Sequence, residues 1–188
     1  MPPNMIMLIR HGEKPLTPPP YGVNGDGEEN SHSLTVRGWQ RAGALVNFFC
    51  SPKVAGIATP TSIYASAVSP KTILVDGDDV AKSLRPQQTV TPLAQALKLN
   101  LVTTRSVGEE AELASDLREE TGNVLVAWEH KHIPLIAEQL MGASAPQWPG
   151  DVFDAVWILT ARDGAYTLAQ VGQNVLPGDS FPVEASTT

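Results

Sequence analysis

Cysteine is nearly absent from this chain: Cys50 stands alone. No intrachain disulfide can form, so burial and hydrogen bonding must hold the fold, and nothing implies an oxidising compartment. Cys50 itself reads as a small apolar residue near a helix end and not as a catalytic thiol. Positive charge is also scarce. Lys and Arg number 13 against 20 Asp and Glu, for a formal net charge of -7, and no basic run is present. That balance argues against sequence-independent binding to nucleic acid, which needs clustered cations. Long apolar runs are missing too. None could span a bilayer, and Met5–Ile9 is too short for a signal-peptide core and lacks a basic flank. These absences lead to the expectation of a cytoplasmic protein with no membrane and no nucleic-acid partner. There is no internal repeat and no low-complexity block. At 188 residues and 42% hydrophobic content, the chain suffices for one domain with a real core. Residues 1–188 are read as that domain, with 176–188 as an irregular tail.

What is present alternates between strand and helix patterns. Met5-Ile-Met-Leu-Ile9 is a continuous apolar run, as expected of a strand buried on both faces. Residues 14–33, rich in Pro, Gly, Asn and acid, read as a long surface loop. Thr35 can cap a helix reaching Phe49, with an apolar stripe through Trp39, Ala42, Leu45, Val46, Phe48 and Phe49. Ser62–Ala65 reads as a second strand. Ile73–Val75 followed by Asp76-Gly77-Asp78-Asp79 reads as a small hairpin or an inserted excursion. Pro86 suits the first turn of a helix reaching Leu97. Leu99–Thr103 reads as a strand, Glu109–Glu120 as an amphipathic helix and Val124–Trp128 as the clearest buried strand. Ile133–Met141 reads as a helix stopped by Gly142. Ala155–Leu159 and Tyr166–Val171 form a closing antiparallel pair. The expected fold is a three-layer α/β/α sandwich with a mostly parallel central sheet. Ligands in such sheets sit beyond the carboxyl ends of strands. His11 and His130 fall in those places.

Phosphoryl transfer needs a nucleophile, cationic donors for the oxygens and an acid for the leaving group. Arginine's planar fork grips two oxygens and stays charged, while neutral imidazole is nucleophilic near pH 7. Arg10-His11 supplies one of each directly after a strand, and Gly12 frees the backbone beside them. The tripeptide arises by chance in roughly one chain in a hundred of this length, so it permits a phosphate pocket without proving one.

Ile9-Arg10-His11-Gly12-Glu13 resembles the signature of the histidine phosphatase superfamily, also called phosphoglycerate mutase-like. Further motifs follow in the family's order up to Met141. Leu34-Thr35-Val36-Arg37-Gly38-Trp39-Gln40-Arg41-Ala42 is similar to its first-helix motif. Ile63-Tyr64-Ala65-Ser66 resembles its second strand. Arg85-Pro86-Gln87-Gln88-Thr89 resembles its Arg-x-x-x-Thr helix start, and Val124 to His130 resembles the strand leading to its second histidine. The resemblance implies a phosphoglycerate mutase-like fold. It also implies a phosphatase that is metal-independent, needs no cofactor and acts on a small phosphomonoester or a phosphoprotein. His11 would become phosphohistidine, Arg10 and Arg85 would clamp the phosphoryl oxygens, and His130 would donate to them. Water would then release the phosphate. A mutase, which the chain looks short for, and a phosphate-binding regulatory module are the alternative readings. The secreted acid phosphatase and phytase branch generally uses disulfides, which one Cys cannot supply.

The sequence departs from the family pattern in places. The second histidine normally lies between Ser and Gly, whereas here it lies in Trp128-Glu129-His130-Lys131-His132, and His132 is the fallback. The stretch 67–84 is longer than usual, which leaves Lys71 and Lys82 as alternatives to Arg85. Glu109 is taken as the general acid, with Glu110 and Glu129 as alternatives, and Glu13 as support for the pocket. A metal site built from His130, His132 and His11 is set aside, because the spacing alone is weak. His32 is expected to be exposed. Trp39, Trp128 and Trp157 are expected in the core, and Trp148 is a candidate for the pocket mouth.

Overall fold

The computed structural model describes residues 3, 5–162 and 164–182, together with the backbone of 186 and 187. In chain order the elements are β1 (Met5–Arg10), α1 (Val36–Cys50), β2 (Ser62–Ala65), β3 (Leu74–Val75), β4 (Asp78–Asp79), a short 3-10 turn (Val80–Lys82), α2 (Arg85–Leu97), β5 (Leu101–Val102), α3 (Glu110–Glu119), β6 (Asn123–Trp128), α4 (Ile133–Met141), β7 (Ala155–Arg162), β8 (Ala165–Gly172) and β9 (Ser186–Thr187). One sheet runs in the order β5-β2-β6-β1-β7-β8-β9. The half from β5 to β1 is parallel, and β7, β8 and β9 extend it antiparallel.

Period-two alternation sorts each central strand onto two faces. Met7 and Ile9 of β1, with Leu125 and Ala127 of β6, pack under Leu45 and Phe49 of α1 and Val90 and Leu93 of α2. Ile6 and Leu8, with Val124, Val126 and Trp128, pack under Leu113 and Leu117 of α3 and Ile133 and Ile136 of α4. Burial on both faces is why β1 and β6 read as unbroken apolar runs. The result is the expected three-layer α/β/α sandwich.

The helix ends follow local chemistry. Thr35 caps α1, its side chain accepting from the Gly38 amide at 3.2 Å. Gly142 ends α4 in the left-handed region, with φ of 68°. Asp76 and Gly77 both have positive φ, 51° and 80°, as a two-residue turn between antiparallel strands requires. The stretch after β2 is therefore a hairpin.

Two tryptophan expectations change. Trp148 is buried against Trp157, with ring centroids 5.1 Å apart, and donates to the Val152 carbonyl; its apolar bulk is spent on the core, so it does not line the pocket mouth. Trp39 is only half-buried and donates to the Val23 carbonyl at 2.8 Å, pinning the long loop to α1. Cys50 is the last residue of α1 and is exposed. Among the described residues no helix is long and apolar enough to cross a membrane.

Candidate active site

The carboxyl ends of β1 and β6 lie side by side, with Arg10 paired to Trp128 in register. The His11 amide continues that ladder by donating to the Trp128 carbonyl. Residues following these two strands therefore meet at one sheet edge, together with the segment that leaves β2. A cleft of about 310 Å³ opens there, lined by Arg10, Arg85, His130, Lys14 and Asp78 among others.

His11 is buried, at 2% exposure. Its Nδ1 lies 2.7 Å from the Gly12 carbonyl oxygen. A carbonyl can only accept, so Nδ1 carries the proton and Nε2 keeps its lone pair. Burial holds the imidazole well below its usual pKa, and Arg10 and then Arg85 push the same way. His11 is thus a neutral imidazole with a free nucleophilic nitrogen.

Arg10 donates through Nη1 to the Gly150 carbonyl at 2.7 Å and stacks on the Phe153 ring, 3.8 Å from its centroid. Burial lowers its pKa to about 10, which still leaves it charged at pH 7. Its Nε has no hydrogen-bond partner among the described residues. Arg85 donates from Nε to the Ser33 carbonyl, from Nη2 to the Ser31 carbonyl at 2.5 Å and from Nη1 to Asp78 Oδ2 at 2.5 Å. The loop before α1 is thus tied to the site through its carbonyls. Thr89, one turn along α2, accepts from the Gly12 amide at 2.8 Å and donates to the Arg85 carbonyl at 2.7 Å. That pair of bonds is the physical content of the Arg-x-x-x-Thr spacing: it fixes the arginine helix to the histidine loop.

His130 is also buried, and Glu129 Oε1 lies against its Nδ1 in ion-pair contact. Its Nε2 has no hydrogen-bond partner among the described residues, and Asp76 Oδ2 is 4.0 Å away. A buried ring nitrogen and a buried guanidinium N–H are thus left unpaired at one cleft. Such groups are costly unless a ligand completes them.

Arg10, Arg85 and His130 line one cleft, and His11 is buried within electrostatic reach of both arginines without being among the lining residues. Glu109, the expected general acid, does not join them. Its carboxylate is spent on the Ser106 amide and hydroxyl, both at 2.8 Å. Glu110 is no replacement, for it holds Trp128 Nε1 at 3.0 Å and His132 Nδ1 at 2.9 Å beneath the sheet edge. Glu129 is committed to His130 and to the amides of Lys131 and His132. His132 points to Glu110, so it neither replaces His130 nor joins it in a metal site. Among the described residues no cluster of three His, Cys, Asp or Glu is arranged to hold a metal ion. Lys82 pairs with Asp79, and neither it nor Lys71 lines the cleft.

Glu13 is not among the residues that line the cleft. It binds Arg37 and the buried Arg41, and Arg41 also reaches Asp179 at 2.7 Å. Gly12 matters for space more than for backbone angle: a Cβ there would meet the Gly38 carbonyl oxygen at 3.0 Å. Sequence reasoning missed Lys14, Asp76 and Asp78. The Asp-Gly turn signal was the one clue to the hairpin that carries the two aspartates.

No family model and no curated protein matches the sequence. Solved structures do. The protein histidine phosphatase SixA complexed with tungstate superposes with a TM-score of 0.53 at 18% identity, over 90% of this chain and 97% of that one. A phosphoglycerate mutase from Plasmodium falciparum gives 0.52 at 15% identity, over 98% and 97%. A putative alpha-ribazole-5'-P phosphatase from Escherichia coli gives 0.51 at 14% identity, over 96% and 98%. The fold is therefore that of the histidine phosphatase, or phosphoglycerate mutase-like, proteins.

Proposed function

We propose that the protein is a phosphohydrolase acting through a phosphohistidine on a phosphomonoester or a phosphoprotein. The observation that carries this reading is a buried, neutral His11 within reach of the charges of two arginines, at a cleft where Arg10 Nε and His130 Nε2 have no partner among the described residues. His11 Nε2 attacks phosphorus as the ester bond breaks. Arg10, Arg85 and His130 neutralise the charge spread over the phosphoryl oxygens. The two arginines meet much of the electrostatic demand without a metal. Water then attacks phosphorus, and the P–N bond breaks with its electrons returning to the imidazole. The tungstate in the SixA structure, a tetrahedral oxyanion, fits this chemistry.

The test is phosphate release from an aryl phosphate after chelator treatment. Wild type should release phosphate, and His11→Ala should lose activity by about 10⁴-fold or more. Undiminished release by His11→Ala would refute the mechanism. Isomer interconversion with little release would mark the mutase alternative.

A further inference from the structure

Three carboxylates expected as the proton donor are engaged elsewhere, yet the cleft does contain a carboxylate. The β3–β4 hairpin carries Asp78 into the cleft, where one oxygen takes Lys14 Nζ at 3.2 Å and Arg85 Nη1 at 2.5 Å. Asp78 thus occupies anion-binding capacity that the phosphate reading assigns to the substrate. The remaining charged or titratable groups of the cleft are Arg10, His130 and Asp76. Asp76 is more exposed and is held by Lys131 Nζ at 2.5 Å, a partner that a bound phosphoryl group need not take.

Resting on the phosphatase reading, we propose that Asp78 protonates the leaving oxygen in the first half-reaction and takes the proton of the attacking water in the second. A phosphoryl group gripped by Arg85 shares its cation with Asp78, which places the carboxyl beside the phosphoryl oxygens. In the free protein, burial would raise the carboxyl, but Arg85 and Lys14 outweigh it and keep Asp78 ionised. An arriving phosphate draws those cations away and adds negative charge, and both changes favour a proton on Asp78. The proton comes with a monoanionic ester or from solvent. As the His11 N–P bond forms and the P–O bond breaks, the bonding pair stays on the leaving oxygen, which takes the Asp78 proton. Water then forms an O–P bond, its proton passes to Asp78, and the P–N bond breaks.

The test compares wild type with Asp78→Asn and Asp76→Asn on p-nitrophenyl phosphate, whose leaving group needs no proton, and on an alkyl phosphomonoester, whose leaving group does. Asp78→Asn should lose about 100-fold or more in kcat/KM on the alkyl ester and less than about tenfold on the aryl ester. Calorimetry of inorganic phosphate binding in buffers of different ionisation enthalpy supplies a second readout. Wild type should take up about one proton more per phosphate than Asp78→Asn near pH 7. Equal losses on both esters, the same pattern in Asp76→Asn, or unchanged proton uptake would each overturn the assignment. Asp78→Ser replaces the Asn variant if that one does not fold. A wild type that releases no phosphate from the aryl ester would instead sink the phosphatase reading.

Discussion

His11 shows how much a few neighbours decide. Free imidazole is partly protonated at neutral pH and cannot attack in that form. Burial between Arg10 and Arg85 removes the proton, and the Gly12 carbonyl chooses which nitrogen keeps its lone pair. His130 has a different task in the proposed reaction, because its Nε2 faces the cleft without a partner among the described residues. His130→Ala should therefore lower kcat by about 10²–10³-fold, measured as aryl phosphate turnover, while urea melts confirm the fold. A loss below tenfold would assign the charge stabilisation to the arginines alone. At this scale the sequence was half legible. Arg10-His11 and Arg85-x-x-x-Thr89 can be read because each sets its residue types at a fixed short spacing, although Thr89 then reaches Gly12 across the fold. The proton donor could not be read, because what a carboxylate touches is set by distant residues: Ser106 claims Glu109, and Trp128 and His132 claim Glu110.

The decisive contact between elements is the approach of α1 to the loop after β1. A Cβ on Gly38 would sit 2.6 Å from the Glu13 backbone carbonyl oxygen, whereas one on Gly43, in the same helix, meets nothing. Gly38→Ala should thus cost about 1–3 kcal/mol and depress turnover, since the strain falls on the segment bearing His11. Gly43→Ala should stabilise by about 0.5–1 kcal/mol. Urea melts of both variants check the pair, and equal shifts would show that the close approach is not limiting. Strand and helix positions were largely readable, because β1 and β6 are buried on both faces and α1 has an explicit cap. The reach of the 76–79 hairpin into the cleft was not, because a turn signal gives a shape and not the surface it packs on.

The whole molecule should be sensitive to acid, and the direction follows from the shifted groups. His11 has a folded pKa well below 6.5, so the unfolded chain binds its proton first as pH falls. Its contribution to stability is therefore present above the ordinary histidine value and lost as pH drops below it. His132 runs the other way: Glu110 outweighs burial and raises its pKa, so its contribution is present in acid and lost as pH rises. The lowered carboxylates Asp78, Asp179 and Glu129 add losses at still lower pH. Stability measured between pH 7 and pH 5 should fall more steeply in wild type than in His11→Gln, with His132 cancelling in the difference. Parallel slopes would contradict the burial of a neutral His11.

The proposed mechanism turns on a covalent phosphate on His11. The most direct measurement is a rapid alkaline quench of protein reacting with substrate, followed by mass spectrometry of its peptides. A base-stable, acid-labile phosphate on the peptide carrying His11, absent from His11→Ala, is the predicted result. Phosphate release with no phosphopeptide, or with the phosphate on another residue, would contradict it.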